Sequence, residues 1–83
     1  MSKQEKLLET IVRRESNANI PFTDLCNLLL KLGFEERVRG SHHIFTKLNV
    51  DELINLQEDR AKAKAYQVRQ VRALILKYEL ELP

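Results

Sequence analysis

The segment Gly40-Ser41-His42-His43 holds both histidines of the chain, side by side. Imidazole titrates near neutral pH without help from its surroundings, so this segment is the first candidate for proton-transfer chemistry. A Gly-Ser pair that can turn the chain precedes the histidines, and the residues that follow them are typical of a strand. We therefore expect both histidines at the start of a strand, directly after a tight turn.

Three interpretations of the histidines are open on the residues alone. In the first, one histidine exchanges a proton with a ribose 2′-hydroxyl or a leaving oxygen, and nearby cations stabilise the charge on phosphorus. In the second, the histidines and the single cysteine bind zinc, although their spacing matches no common zinc motif. In the third, both histidines have only a structural role, in which they pack against other side chains or cap backbone groups. Because side chains alternate along a strand, His42 and His43 should point to opposite faces of the sheet and cannot readily act together on one phosphate.

The cations that could contact a polyanion lie in two segments without acidic residues, 37–47 and 60–77. The net charge of +2 hides this asymmetry, because acidic residues elsewhere in the chain balance the two segments. Together the segments could form one basic face, which suggests a partner such as RNA. The cations available for this face are Arg37, Arg39, Lys47, Arg69 and Arg72.

Hydrophobic periodicity predicts three helices. Residues 3–14 place their apolar side chains on one helical face, and a polar linker follows at 16–19. A second helix should begin near Pro21, whose missing N–H is harmless in a first turn, and should end at Gly33, which tolerates a left-handed conformation. The third helix runs from about residue 65 to about residue 78 with its apolar residues on one face.

Between the second and third helices the pattern becomes that of strands. Residues 34–39 and 42–46 are predicted to pair around a Gly40-Ser41 hairpin turn, and residues 53–56 to form a weaker third strand after a loop at Asp51-Glu52. The order α-α-β-β-β-α predicts an α+β fold with a three-stranded antiparallel sheet and helices on one face. Without the first helix, this is the α-β-β-β-α layout of a double-stranded-RNA-binding-domain-like fold. We expect an N-terminal helix and linker at 1–19 and a domain at 20–83.

The composition restricts the class of protein. A chain of 83 residues with 43% hydrophobic residues and mixed charge favours one small folded domain over disorder. A single cysteine allows no intrachain disulfide, which favours a reducing compartment, and Cys26 lies in an apolar run as a core residue would. The apolar stretches are too short to span a bilayer, so we expect a cytoplasmic protein without a membrane anchor.

Two motifs carry a family resemblance over about residues 20 to 80: Leu25-x-x-Leu28-Leu29-x-x-Leu32-Gly33-Phe34, and Arg37-x-x-Gly40-Ser41-His42-His43-Ile44-Phe45. With these motifs the chain resembles the HicA toxins of bacterial HicAB toxin–antitoxin systems. The resemblance implies an mRNA interferase, an endoribonuclease that needs no metal or other cofactor. Its catalytic histidine directly follows Gly-Ser and is His42 here, while Gly40 and Ser41 would shape the turn at the RNA. A HicB-like antitoxin protein would cover the site.

The chain departs from that family in three places. Leu56-Gln57-Glu58-Asp59 follows the third strand where many HicA toxins carry a proline and a further histidine, and the last helix lacks their Lys-Gly-Thr-Leu-like start. The N-terminal helix is extra. The chain thus resembles a divergent HicA-like branch. Two alternatives are a non-catalytic RNA-binding module and a protein-interaction domain whose N-terminal helix docks on a partner.

Overall fold

A computed structural model of the chain describes residues 2–13 and 18–83. Its elements are α1 (Lys3–Val12), α2 (Phe22–Lys31), β1 (Glu35–Arg39), β2 (His42–Lys47), β3 (Val50–Gln57) and α3 (Ala65–Tyr78). The strands form one antiparallel sheet in the order β1-β2-β3. The predicted α+β class and the order of elements are therefore confirmed. The predicted end of the first helix at Arg14, and Ser16 and Asn17 of the predicted linker, lie outside the described residues.

The α2 helix ends in a hydrogen-bonded turn that directs the chain into the sheet. Gly33 has a φ of +100° and donates its N–H to the carbonyl of Leu30, while Phe34 donates its N–H to the carbonyl of Leu29. This pair of bonds is the Schellman motif, which requires a left-handed residue just after the helix. Gly33 is suited to that position, as the sequence predicted, and β1 begins two residues later.

Two short turns fix the register of the sheet. Gly40, with a φ of +59°, turns the chain between β1 and β2, so that Arg39 lies opposite His42. The next turn places Asn49 at a φ of +71°, and β3 begins directly after it at Val50. The prediction of a loop at Asp51-Glu52 is therefore wrong, because a left-handed asparagine allows a tight turn and the strand starts earlier.

The helices cover one face of the sheet. Phe45, Ile54 and Leu56 are fully buried on this inner face, in one cluster with apolar residues of α2 and α3. The α1 helix adds Ile11, which is fully buried in the same cluster. Residues on both sides of the predicted boundary at 19–20 thus share a single core.

The α3 helix spans 14 residues and matches the predicted range. At its start, the side-chain oxygen of Gln67 accepts a hydrogen bond from the N–H of Lys64, and Gln67 is fully buried. Gln67 lies in the first turn of α3, so its side chain can accept a bond from a backbone N–H that has no acceptor within the helix. Among the helices of the described ranges, none is long and apolar enough to cross a membrane.

Candidate functional site

The face of the sheet that points away from the helices holds the centre of the predicted site. This outer face consists of Glu35, Arg37, Arg39, His42, Ile44, Thr46, Leu53, Asn55 and Gln57. One row across the strands joins Arg39, His42 and Gln57, and the next joins Arg37, Ile44 and Asn55. Such rows are about 7 Å apart along a strand. Two arginines and one histidine therefore lie close enough to act on neighbouring groups of one bound chain.

His42 is exposed on the outer face and is held by the strand beside it. Its Nδ1 lies 3.1 Å from Oδ1 of Asn55. A carboxamide oxygen only accepts hydrogen bonds, so Nδ1 of His42 carries the donated proton. In the neutral ring, Nε2 then holds the free lone pair. Asn55 thus leaves His42 with one basic nitrogen that can take a proton from a bound molecule.

Polar groups continue from His42 to the hairpin turn. The side-chain amide of Gln57 donates a hydrogen bond to Oγ of Ser41 over 3.1 Å. Gly40 is needed for its left-handed backbone rather than for space, since a Cβ atom there would meet no described atom within 4 Å. Gly40 and Ser41 therefore shape the turn beside His42, in the positions that the sequence predicted.

Arg37 and Arg39 are both exposed and share a shallow depression of about 350 Å³ with Glu35, Glu36, Ile44 and Thr46. This volume is in the range of small-ligand sites. Guanidinium groups can form two parallel hydrogen bonds to a phosphate, which suits them to hold a polyanion in a fixed orientation. The carboxylate of Glu35 lies on the same face and limits the net positive charge of the depression, whereas that of Glu36 contacts His43 on the inner face.

The other predicted cations lie elsewhere. Lys47 is at the far end of β2, and a Cβ atom on Gly33 would be 2.6 Å from its Nζ, so its ammonium lies at the carboxyl end of α2. Arg69 is exposed on α3, in the helical layer behind the sheet. The two acid-free segments therefore do not form one basic face. Arg37 and Arg39 lie on the outer face of the sheet, whereas Lys47 lies at the end of α2 and Arg69 in the helical layer.

Arg72 corrects the prediction of an RNA contact. It is only 6% exposed, and its Nε donates a hydrogen bond of 2.6 Å to the main-chain carbonyl of Ile11. That carbonyl is in the last turn of α1, where the helix offers few backbone donors and its dipole favours a cation. Arg72 therefore holds α1 against α3 and is not available to RNA.

His43 points to the inner face, opposite to His42, and the alternation of side chains had predicted that the two histidines lie on opposite faces. Its Nδ1 lies 2.7 Å from a carboxylate oxygen of Glu36, and its ring meets the edge of the Phe22 ring with centroids 4.9 Å apart. The thiol of Cys26 on α2 lies beside this pair. Burial, and then the charges of Glu36 and Glu58, raise the pKa of Cys26 to about 12.

The sequence did not reveal two parts of this arrangement. Asn55 carried no recognisable signal, because its partner lies 13 positions earlier on another strand. Cys26, Glu36 and His43 come from three different elements, so no spacing rule could group them. The outer face thus combines a basic nitrogen with two guanidinium groups and can exchange a proton beside a bound anion. Comparisons of the chain with models of protein families, with curated proteins and with solved structures found no match.

Proposed function

We propose that the outer face binds RNA and that His42 cleaves it, so that the protein acts as a HicA-like, metal-independent endoribonuclease on mRNA. The main support is the contact between His42 and Asn55 next to Arg37 and Arg39, on a sheet face that the helices leave uncovered. The helix, three strands and helix from α2 to α3 are compatible with a double-stranded-RNA-binding-domain-like fold. The motif around Gly40-Ser41-His42 adds the resemblance to HicA toxins.

The proposed reaction needs one base and a site for negative charge. Nε2 of His42 takes the proton of a ribose 2′-hydroxyl, and the oxygen attacks the adjacent phosphorus. The bond from phosphorus to the 5′-oxygen of the next nucleotide breaks, that oxygen takes a proton from water, and the hydroxide that is left takes the proton from His42. The products are a 2′,3′-cyclic phosphate and a 5′-hydroxyl end. A positioned base of this kind accelerates a reaction by about 10²- to 10⁴-fold. Arg37 and Arg39 would stabilise the charge that develops on the phosphate oxygens.

The first test compares wild type with His42→Ala on a single-stranded RNA and on the same sequence with 2′-deoxyribose throughout. We expect the wild type to cut only the RNA and to leave cyclic phosphate ends, whereas His42→Ala should lose cleavage and keep the circular dichroism spectrum of the fold. Induced expression in a bacterial host should arrest growth and degrade a reporter mRNA with the wild type alone. Cleavage of the deoxy strand, or full activity of His42→Ala, would contradict the mechanism.

A second candidate function is recognition without cleavage at the same face. Leu53 is 53% exposed there and Ile44 is partly exposed, so apolar contacts are available as well as charges. In the toxin proposal, a HicB-like antitoxin would use these side chains when it covers His42. In the non-catalytic alternative, a folded wild type would bind RNA without cutting it, and His42→Ala would leave the affinity nearly unchanged.

A further inference from the structure

We propose that Cys26, Glu36 and His43 form a zinc site on the inner face of the sheet, separate from the outer face that carries His42. Cys26 comes from α2, Glu36 from β1 and His43 from β2. A metal ion there would tie the helical layer to the first hairpin. The inference does not depend on RNA binding or cleavage.

The geometry of the three side chains comes close to that of a zinc site. One potential ligand atom from each residue lies within 4.8 Å of the other two, and Glu36 and His43 already meet at 2.7 Å. Around tetrahedral zinc, with bonds of about 2.0–2.3 Å, neighbouring ligand atoms are about 3.3–3.8 Å apart. Side-chain rotations that move the ligand atoms by about 1 Å would therefore complete the site.

The chemistry of the donors selects the kind of metal. A thiol, an imidazole and a carboxylate are the ligands that zinc takes in proteins, whereas calcium and magnesium prefer oxygen alone. Three protein ligands leave a fourth position for water. The side chains of His43 and Glu36 are 27% and 24% exposed, so an ion can reach them from solvent, while Cys26 is only 7% exposed.

The charges around Cys26 also favour a cation. Burial desolvates the thiol and raises its pKa, and the negative charges of Glu36 and Glu58 raise it further. These groups disfavour a bare thiolate. A bound divalent ion would favour the thiolate over the thiol, because it attracts both carboxylates and binds the thiolate directly. Metal binding at this site should therefore release the thiol proton.

The test is a titration of the reduced, full-length protein with Co²⁺, followed by displacement with Zn²⁺. We expect one Co²⁺ per chain, with the near-ultraviolet charge-transfer absorption of a cobalt–thiolate bond, and complete loss of that band when Zn²⁺ is added. Glu36→Gln and His43→Gln should each weaken zinc binding at least about tenfold, since even outer-shell partners of metal ligands contribute about 10- to 100-fold. Cys26→Ser should abolish the charge-transfer band.

The adjacent histidine provides a matched control. His42→Gln removes the same side chain from the next position of β2 but from the outer face, and should leave Co²⁺ and Zn²⁺ binding unchanged. Binding that is lost in His42→Gln and retained in His43→Gln would overturn the proposal. The same conclusion would follow if the folded wild type bound no metal, with Cys26 a core residue and Glu36 and His43 a hydrogen-bonded pair.

A second measurement remains valid if a variant fails to fold. Alkylation of Cys26 in the wild type can be followed with and without Zn²⁺, and the single cysteine makes the signal unambiguous. A zinc–thiolate bond should slow alkylation at least about tenfold, because the thiolate is the reactive species. An unchanged alkylation rate at saturating Zn²⁺ would overturn the proposal, whatever the outcome of the RNA cleavage assay.

Discussion

His42 and Asn55 are joined diagonally across two strands, with Nδ1 of the imidazole 3.1 Å from the carboxamide oxygen. In the register of the sheet, His42 lies opposite Gln57 and Asn55 lies opposite Ile44, so the contact links neighbouring rows of the outer face. The bond determines which ring nitrogen holds the proton. Asn55 is therefore a positioning residue of the proposed ribonuclease site.

Asn55→Leu removes the acceptor while it keeps nearly the same side-chain volume. We expect cleavage of RNA to slow by about 10- to 100-fold, by analogy with the loss when the partners that orient metal-binding histidines are removed. Affinity for RNA should change little, because Arg37 and Arg39 remain. The measurement is single-turnover cleavage together with RNA binding. Gln57→Leu is the matched control on the same strand, and an equal loss of rate in that variant would point to general damage of the face.

Arg37→Gln and Arg39→Gln should each weaken RNA binding for every sequence, because each removes a cation that binds phosphate. The slope of log affinity against log salt concentration should become shallower by about 0.7 for each phosphate of single-stranded RNA that is no longer neutralised. Fluorescence anisotropy at several salt concentrations gives this slope. Arg69→Gln is the control, since Arg69 lies in the helical layer behind the sheet. An equal change of slope in Arg69→Gln would mean that RNA also binds to the helical side.

The hydrogen bonds of Glu52 should make the stability of the folded protein depend on pH. Hydrogen bonds from Lys77 and then Tyr78 lower the pKa of the Glu52 carboxyl from 4.5 to about 2. A lowered pKa in the folded state stabilises the protein above the ordinary value, and this contribution disappears as the pH falls from 4.5 towards about 2. Glu52→Gln should therefore lower the midpoint of urea unfolding near neutral pH and have little effect near about pH 2.

Asp51→Asn is the control for that measurement, because Asp51 is the adjacent residue of β3 and its side chain is exposed. We expect Asp51→Asn to show the same difference in unfolding midpoint between neutral and acid pH as the wild type. If Glu52→Gln destabilised the protein equally at both pH values, the ionised carboxylate would not be the source of the stabilisation.

Ile11→Ala tests whether α1 belongs to the core. Ile11 is fully buried, and truncation of such a side chain usually destabilises a protein by about 2–5 kcal/mol. Chemical unfolding should show this loss as a lower midpoint with an unchanged slope. Leu30→Ala, at a position that is 43% exposed on α2, should have a much smaller effect. Similar stability of Ile11→Ala and wild type would show that α1 packs only loosely on the domain.

Local signals in the sequence were sufficient for most of the fold. Gly33 after an apolar stripe predicted the end of α2, and Gly40-Ser41 between two strand-like segments predicted the hairpin. The start of β3 was missed because Asn49 takes a left-handed conformation without a glycine. Local patterns describe a residue and its neighbours along the chain, and they succeed where these neighbours determine the conformation.

The candidate site was harder to predict because its members meet through tertiary packing. The alternation of a strand was enough to separate His42 from His43. It could not show that Arg72 has a distant carbonyl as its partner, or that α3 places Arg69 behind the sheet. From helical periodicity, an arginine that flanks the apolar face of a helix is expected at the surface. Only the packed structure shows that a main-chain carbonyl of α1 accepts a hydrogen bond from Arg72.

The bond from Arg72 to the carbonyl of Ile11 also has a consequence for how the protein forms. The two residues are 61 positions apart, so α1 leaves the ribosome well before the side chain that holds its last turn. At elongation rates of about 5–20 residues per second, that interval lasts about 3–12 s. A helix of 10 residues is marginal by itself in water. The hydrogen bond that holds the last turn of α1 therefore forms only after α3 has been made, whereas the ion pair between Lys3 and Asp24 of α2 can form earlier.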